Sequence, residues 1–403
     1  MNRTPRILGY VTPVRAFSSE HGIYMQAASG RVADELAKHF DKIVICTRVV
    51  QGPPPAPDDL PFESRNIELI AQPFWRTSAG SLLHGFGIAR AYLRTCRKVD
   101  VLFVRGMCPF VAILYVFAFL FRRPICHWIV GDPVALLRTS ARNGRVLDAF
   151  ALAYAMQDRM CTRMGRWLTD GALICNGREL ARAYRSGRTT ASVSSTVRET
   201  DFFSRADTCQ GKTIRLLFLG YVRPEKGIEY LLYAVNQLPK EIPWELEIAG
   251  SDEFPAYRRL LDEIVAARGL QDRVRWTGYI PYGEPLFRRM RAADIFVLPT
   301  LSEGTPHVLV EARANSVPCI STTAGGVPST VEHEYDALLV PPKDSGALAG
   351  AMQRLIRDGE LRRALIRNGL EAANRQTLER FIATVLRELQ PELETTKAAV
   401  PQE

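Results

Sequence analysis

The stretch IRLLFLGYVRPEKGIEYLLYAVNQL, residues 214–238, holds a complete strand, loop and helix in sequence. Ile214 to Leu219 is a short, nearly continuous apolar run that ends at Gly220, the mark of a strand buried on both faces. From Ile228 the apolar residues change period. Ile228, Leu231, Leu232, Val235 and Leu238 share one face at 3.6 residues per turn, which predicts a helix. The loop between them carries Arg223 and Lys226 and ends at Gly227.

The same alternation runs outward in both directions. Strands are predicted at Arg6–Thr12, Lys42–Arg48, Ile67–Pro73, Val101–Gly106, Ile125–Gly131 and Gly171–Gly177 in the first half. In the second half they are predicted at Ile214–Gly220, Trp244–Gly250, Val274–Ile280, Asp294–Thr300, Val317–Thr323 and Ala337–Pro341. Strands alternating with helices imply parallel sheets covered on both faces. Two such sets in 403 residues imply two doubly wound domains, with a boundary near Phe202–Gly211. Ligands of such sheets bind beyond the carboxyl ends of the strands, so functional residues are sought in the loops that follow them.

Three such loops carry chemistry. In Gly220–Gly227, two cations beside a helix start suit a diphosphate, because backbone N–H groups and the helix dipole add to side-chain charge. In Glu303-Gly-Thr-Pro-His-Val-Leu-Val-Glu311, Thr305 is a suitable N-cap and Pro306 a suitable first helical residue. Glu303 then lies in the loop, where it can accept hydrogen bonds from sugar hydroxyls. Glu311 lies more than a turn into the helix, where it can accept them from a ribose. N–H groups near Gly304 and Thr305 point where a phosphate could lie. In Ala324-Gly-Gly-Val-Pro328, two glycines permit close approach of the backbone to a ligand. The competing reading makes the first an ordinary basic surface loop, Glu303 a capping aid and Glu311 a solvated residue.

These residues resemble the family 4 glycosyltransferases, the retaining family of the GT-B fold. The resemblance is strongest from Ile214 to Thr377 and continues, more weakly, through the first half. It implies an α/β fold of two Rossmann-like domains facing each other across a cleft. The implied divisions are an acceptor-side domain at 1–205, a donor-binding domain at 206–376, a helix at 377–389 that crosses back, and a disordered tail at 390–403. It also implies transfer of a sugar from a nucleotide-diphosphate sugar, as co-substrate, to an acceptor hydroxyl with retention. Lys226 resembles the diphosphate-binding lysine, and Glu303 and Glu311 the two-glutamate motif. Ser18–Gly30 resembles the glycine-containing first loop, with Gly22 at the donor site. Gly278-Tyr279-Ile280 resembles the loop whose backbone meets the base. Two departures stand out. Tyr221 follows Gly220 where an arginine is common, which leaves Arg223 to supply charge. The His-Asp or His-Gly pair of the family has no direct match. His127 reads as a satisfied strand histidine, and Asp132 as the acceptor-side candidate, with a turn residue before Pro133 as the alternative.

Other features bound the function. The chain lacks an Asp-x-Asp motif, so basic residues are expected to replace a metal at the diphosphate, with no metal ligands and no separate cofactor. Eight scattered cysteines fit buried thiols in a reducing compartment. Ile7–Val11 is far shorter than a signal-peptide core, which points to a cytoplasmic protein. Residues 1–205 hold 28 Lys+Arg against 16 Asp+Glu, and residues 206–403 hold 24 against 27. The excess sits largely in arginines from Arg138 to Arg188, which alternate with apolar residues between Arg145 and Arg166. This asymmetry is read as docking of the first half on an anionic membrane face, with a lipid-linked acceptor. Met107–Phe121, apolar but short for a span, is read as a sheet-covering helix. A sugar-nucleotide epimerase of the same fold and a donor-binding protein without turnover remain alternatives. A nucleic-acid binder is disfavoured, because the basic charge comes without zinc spacing or an RNP-like aromatic motif.

Overall fold

The computed structural model describes residues 6–54, 59–75, 80–132, 134, 145–185, 187–252 and 254–398. The chain forms two compact units, Met1–Val193 with Leu378–Glu403, and Ser194–Thr377.

The first unit holds β1 (Ile7–Val11), β2 (Ala16–Ser19), β3 (Gly22–Gln26), β4 (Lys42–Gln51), β5 (Asp59–Pro61), β6 (Ile67–Gln72), β7 (Val101–Arg105), β8 (Ile125–Ile129), β9 (Ala172–Asn176) and β10 (Thr189–Ser192). Its main sheet is parallel, in the order β10-β9-β8-β7-β1-β4-β6. β4 is long enough to pair β6 along its first part and β2 near its end. There β2, β3 and β5 form an antiparallel extension. These three short strands, and β10, were not expected from the sequence. Ser18–Gly30, expected to be one loop, is instead a β2–β3 hairpin followed by the helix Ala27–Ala37. Asp59–Pro61 lies at the sheet edge, the place a strand ending in proline is tolerated. Residues 55–58, just before it, lie outside the described residues.

The second unit holds β11 (Ile214–Leu219), β12 (Trp244–Ala249), β13 (Val274–Gly278), β14 (Ile295–Leu298), β15 (Cys319–Thr322) and β16 (Leu338–Val340). All are parallel, in the order β13-β12-β11-β14-β15-β16. Numbered within the unit this is 3-2-1-4-5-6, the doubly wound order, with its switch point between β11 and β14. One apolar core fills it, from Leu216, Phe218 and Phe296 in the sheet to Leu231, Leu261 and Met352 in the helices.

The expected boundaries shift in two places. Residues 194–205 belong to the second unit, not the first. Backbone and side-chain bonds hold them there: Phe203 N donates to Ala314 O at 2.9 Å, and Arg205 Nη1 to Arg291 O at 2.8 Å. The final helix runs from Leu378 to Ala398, so the tail expected to be disordered from Gln390 is helical that far. Its Phe381, Ile382, Val385 and Leu389 are core residues of the first unit, and Phe381 packs on Trp128 with ring centroids 4.7 Å apart. Cys46, Cys126, Cys175 and Cys319 are free and buried, as expected. Among the described residues no helix is long and apolar enough to cross a membrane.

Candidate functional site

The loops after β11, β14 and β15 meet at the switch point of the second unit, and backbone chemistry locks them together. The turn Pro224–Lys226 follows β11. Glu225 O accepts from Leu301 N at 2.7 Å and from Thr300 Oγ1 at 3.1 Å, which joins this turn to the loop after β14. Gly227 has φ +64°, and a Cβ there would lie 2.4 Å from Pro299 O. Both the left-handed conformation and the close approach require glycine. On the other side, Gly326 N donates to Glu303 O at 3.0 Å. A Cβ on Gly326 would lie 1.8 Å from Gly304 O, so the Ala324–Pro328 glycines serve first to admit the Glu303 loop.

Within this frame Lys226 Nζ donates directly to Glu303 Oε1. The two side chains are 20% and 12% exposed, so the ion pair sits in a recess open to solvent. Each partner fixes the other, which holds a cation and an anion at adjacent, known positions. Arg223 lies with its guanidinium 4.6 Å from the Tyr221 ring and 5.7 Å from that of Phe254. Tyr221, which stands where the resemblance leads one to expect arginine, thus forms half of an aromatic platform for the next cation.

Glu311 is buried, not a solvated surface residue, and Thr196 Oγ1 donates to its Oε1 at 3.0 Å. Thr196 is itself placed by Tyr282, whose hydroxyl donates to Thr196 O at 2.8 Å. The helix carrying Glu311 starts at His307 with Pro306 as N-cap, so Thr305 does not cap it as expected. Pro306 has ψ +91°, outside the helical range, which moves the start on by one residue. Gly304 and Thr305 therefore both remain in the loop. Gly278 ends β13 with φ +67°, and its carbonyl accepts from Gly250 N at 2.8 Å. Tyr279 follows it directly. Gly250 was not singled out from the sequence, yet a Cβ there would lie 1.7 Å from Gly220 O. Glycine at the end of an apolar run was the only available signal.

Two candidates lie in the first unit. Gly22 pairs with Ser19 in the β2–β3 hairpin at φ +134°. Asp132, beyond the end of β8, accepts from Val134 N at 3.0 Å and from Arg159 Nη2. His127 is buried in β8, as expected of a satisfied strand histidine. Its Nδ1 accepts from Tyr115 Oη at 3.0 Å and its Nε2–H donates to Gly106 O at 2.8 Å. Burial lowers its pKa to about 4, so it is neutral at pH 7.

Residues 200–372 match the family described as glycosyl transferases group 1. The chain is 31% identical over 154 residues to an alpha-D-kanosaminyltransferase of Streptomyces kanamyceticus, covering 38% of this chain and 39% of that one. It is 32% identical over 149 residues to an amylovoran biosynthesis glycosyltransferase of Erwinia amylovora, covering 35% and 36%. The chain spans 36% to 48% of the length of the first curated relatives it matches. Along almost its whole length it is similar to the sucrose-phosphate synthase structure from Thermosynechococcus elongatus, with a TM-score of 0.72, 20% identity and 97% and 100% of the two chains covered. The fold is GT-B, and residues 200–372 are similar to the glycosyl transferases group 1.

Proposed function

We propose that this protein is a retaining, metal-independent glycosyltransferase that moves a sugar from a nucleotide-diphosphate sugar to an acceptor hydroxyl. The observation that carries this reading is the Lys226–Glu303 pair, held between three interlocked loops at the switch point of a group 1 domain. A diphosphate arriving beside Lys226 competes for its ammonium and frees the Glu303 carboxylate to accept hydrogen bonds from the sugar. As the glycosidic bond breaks, charge grows on the departing diphosphate, and Lys226 stabilises that charge more than the ground state. Arg223, on its aromatic platform, adds a second cation. Glu311 takes the ribose hydroxyls, and the backbone at Gly278–Tyr279 meets the base. Gly304 and Thr305 N–H groups face the phosphates, Gly22 is a donor-binding residue, and Asp132 is the polar group for the acceptor. Two cations supply the neutralisation that a metal provides elsewhere.

The amylovoran-biosynthesis relative directs the reading toward cell-surface polysaccharide or glycolipid synthesis. The basic excess of residues 1–205 supports a cytoplasmic enzyme docked on an anionic membrane face, with a lipid-linked acceptor. The test is a thermal-shift screen against UDP-, GDP-, ADP- and TDP-sugars, because a ligand selective for the folded state raises its stability. The stabilising donor is then incubated with lipid-linked acceptors in EDTA. Transfer with an unchanged anomeric configuration is expected. Activity lost in EDTA and restored by Mg²⁺ or Mn²⁺, or an inverted product, would refute the corresponding part.

A further inference from the structure

In the first unit the helices Val111–Leu120 and Arg145–Thr169 pack side by side and leave a groove between them of about 760 Å³. The helices come close together where Tyr115 meets Gly165, and a Cβ on Gly165 would lie 2.3 Å from the tyrosine ring. Above that floor the groove is walled by Met156, Met160, Met164 and Trp167, which follow one another up a single face of the second helix. Among the described residues nothing covers them: Met164 is 62% exposed and Trp167 78%. The facing helix adds Val116, also exposed. Large apolar side chains displayed contiguously on one face mark an interaction site, not ordinary surface. Methionine is unbranched and flexible, so three of them shape a wall that adapts to a chain without a fixed shape. The volume lies within the roughly 300–1,000 Å³ range of small-molecule sites.

Cations mark one side of this apolar groove. Arg163 is exposed, and Arg159, one turn earlier, lines the groove and also holds Asp132 at the end of β8. An apolar trough bordered by guanidinium groups is complementary to a molecule with a hydrocarbon tail and an anionic head. The concave form favours a single chain lying between two helices over a flat bilayer surface.

We propose that the groove between Val111–Leu120 and Arg145–Thr169 binds the hydrocarbon chain of a lipid phosphate, with its phosphate at Arg159 and Arg163. This rests on the lipid-linked acceptor read above and assigns it a seat. Arg159 touches both the groove and the candidate acceptor-side carboxylate.

The test uses the full chain and dodecyl phosphate kept monomeric, below its micelle concentration. Saturable binding is expected, with a fluorescence change that disappears in Trp167→Phe. Dodecanol and inorganic phosphate should each bind more weakly than the two joined. Met160→Glu with Met164→Glu places charge on the apolar wall and should weaken binding by about tenfold or more. Arg163→Ala should weaken it by less. Both positions are exposed, so the fold should survive, and unchanged stabilisation by the nucleotide sugar checks that it does. Equal binding by the double variant, or no binding by the wild type, overturns the proposal. If anionic vesicles bind while monomeric dodecyl phosphate does not, the face docks on a bilayer plane; the groove assignment fails and the lipid-acceptor reading survives. If dodecyl phosphate binds as described but no donor is turned over, the groove stands and the glycosyltransferase reading falls.

Discussion

At the candidate site of the second unit Lys226, Glu303 and Glu311 are already paired, whereas the first unit leaves a broad apolar helix face open. Lys226 is bonded to Glu303 and Glu311 to Thr196, and the loops that carry them are tied through Glu225 and Gly326. Met156, Met160, Met164 and Trp167 of the first unit stand exposed. The contrast follows from the ligands each surface suits. A fixed anion is best stabilised by groups whose positions are set in advance, here by mutual bonds. A hydrocarbon chain offers no directional contacts and rewards adaptable area instead.

The hardest test of this contrast is Lys226→Ala. It removes the Lys226 partner of Glu303 and a contact that strengthens with leaving-group charge. Transition-state stabilisation should fall by about 2–4 kcal/mol, mostly in kcat, as for loss of one oxyanion donor. Steady-state kinetics decide this, and wild-type turnover would remove Lys226 from the mechanism. Arg223→Ala should cost less, because its guanidinium rests on the rings of Tyr221 and Phe254.

A second test asks whether the open helix of the first unit also carries a stability cost. Asp158 lies on the buried side of Arg145–Thr169, and burial raises its pKa from 3.8 to about 7. The unfolded chain ionises this group near the ordinary value, while the folded chain holds the proton to about pH 7. The favourable contribution of the neutral form is therefore complete below pH 3.8 and is lost as pH rises to about 7. Asp158→Asn abolishes that loss. It should stabilise the protein by up to about 4 kcal/mol above pH 7 and leave it unchanged near pH 4. Denaturation at both pH values measures it, and equal stability of the two proteins at pH 8 would contradict the assignment.

The smallest expected effect sharpens the other side. Glu311→Ala should weaken binding of the nucleoside diphosphate by about 1–2 kcal/mol, and Thr196→Val by under about 1 kcal/mol, since Thr196 only positions the carboxylate. Calorimetric titration separates them. Wild-type affinity in Glu311→Ala would end the ribose role.

Much of this is legible in the sequence. Buried parallel strands print as short apolar runs, so all six strands of the second unit could be read directly, as could six of the first. Ala16–Ser19, Gly22–Gln26 and Thr189–Ser192 could not, because short strands with mixed or hydroxylated residues carry no strong period. Glu303, Lys226 and Glu311 stood out by loop position and residue type. Their partners did not: Lys226 and Glu303 are 77 residues apart, and Glu311 and Thr196 are 115 apart. Pairing over such distances is decided by strand order, which sequence pattern leaves open. Met107–Phe121 shows the same limit. Its helix covers the sheet with Val111, Leu114, Tyr115 and Ala118, as read, but Val116, Phe119 and Leu120 on the same helix face outward. An all-apolar helix gives no hint of having two kinds of surface. The densest part of the arginine run is only partly placed, since Arg138 and Arg142 lie outside the described residues.

The closing helix has a consequence for how the molecule is made. Leu378, Phe381, Ile382, Val385 and Leu389 are built into the core of the unit that the ribosome begins first. During vectorial synthesis that unit must wait, with Trp128 and its neighbours uncovered, while residues 194–377 emerge and can fold ahead of it. The part of the chain that starts first is thus finished last, and a nascent chain stopped before Leu378 carries one complete domain and one that lacks part of its core.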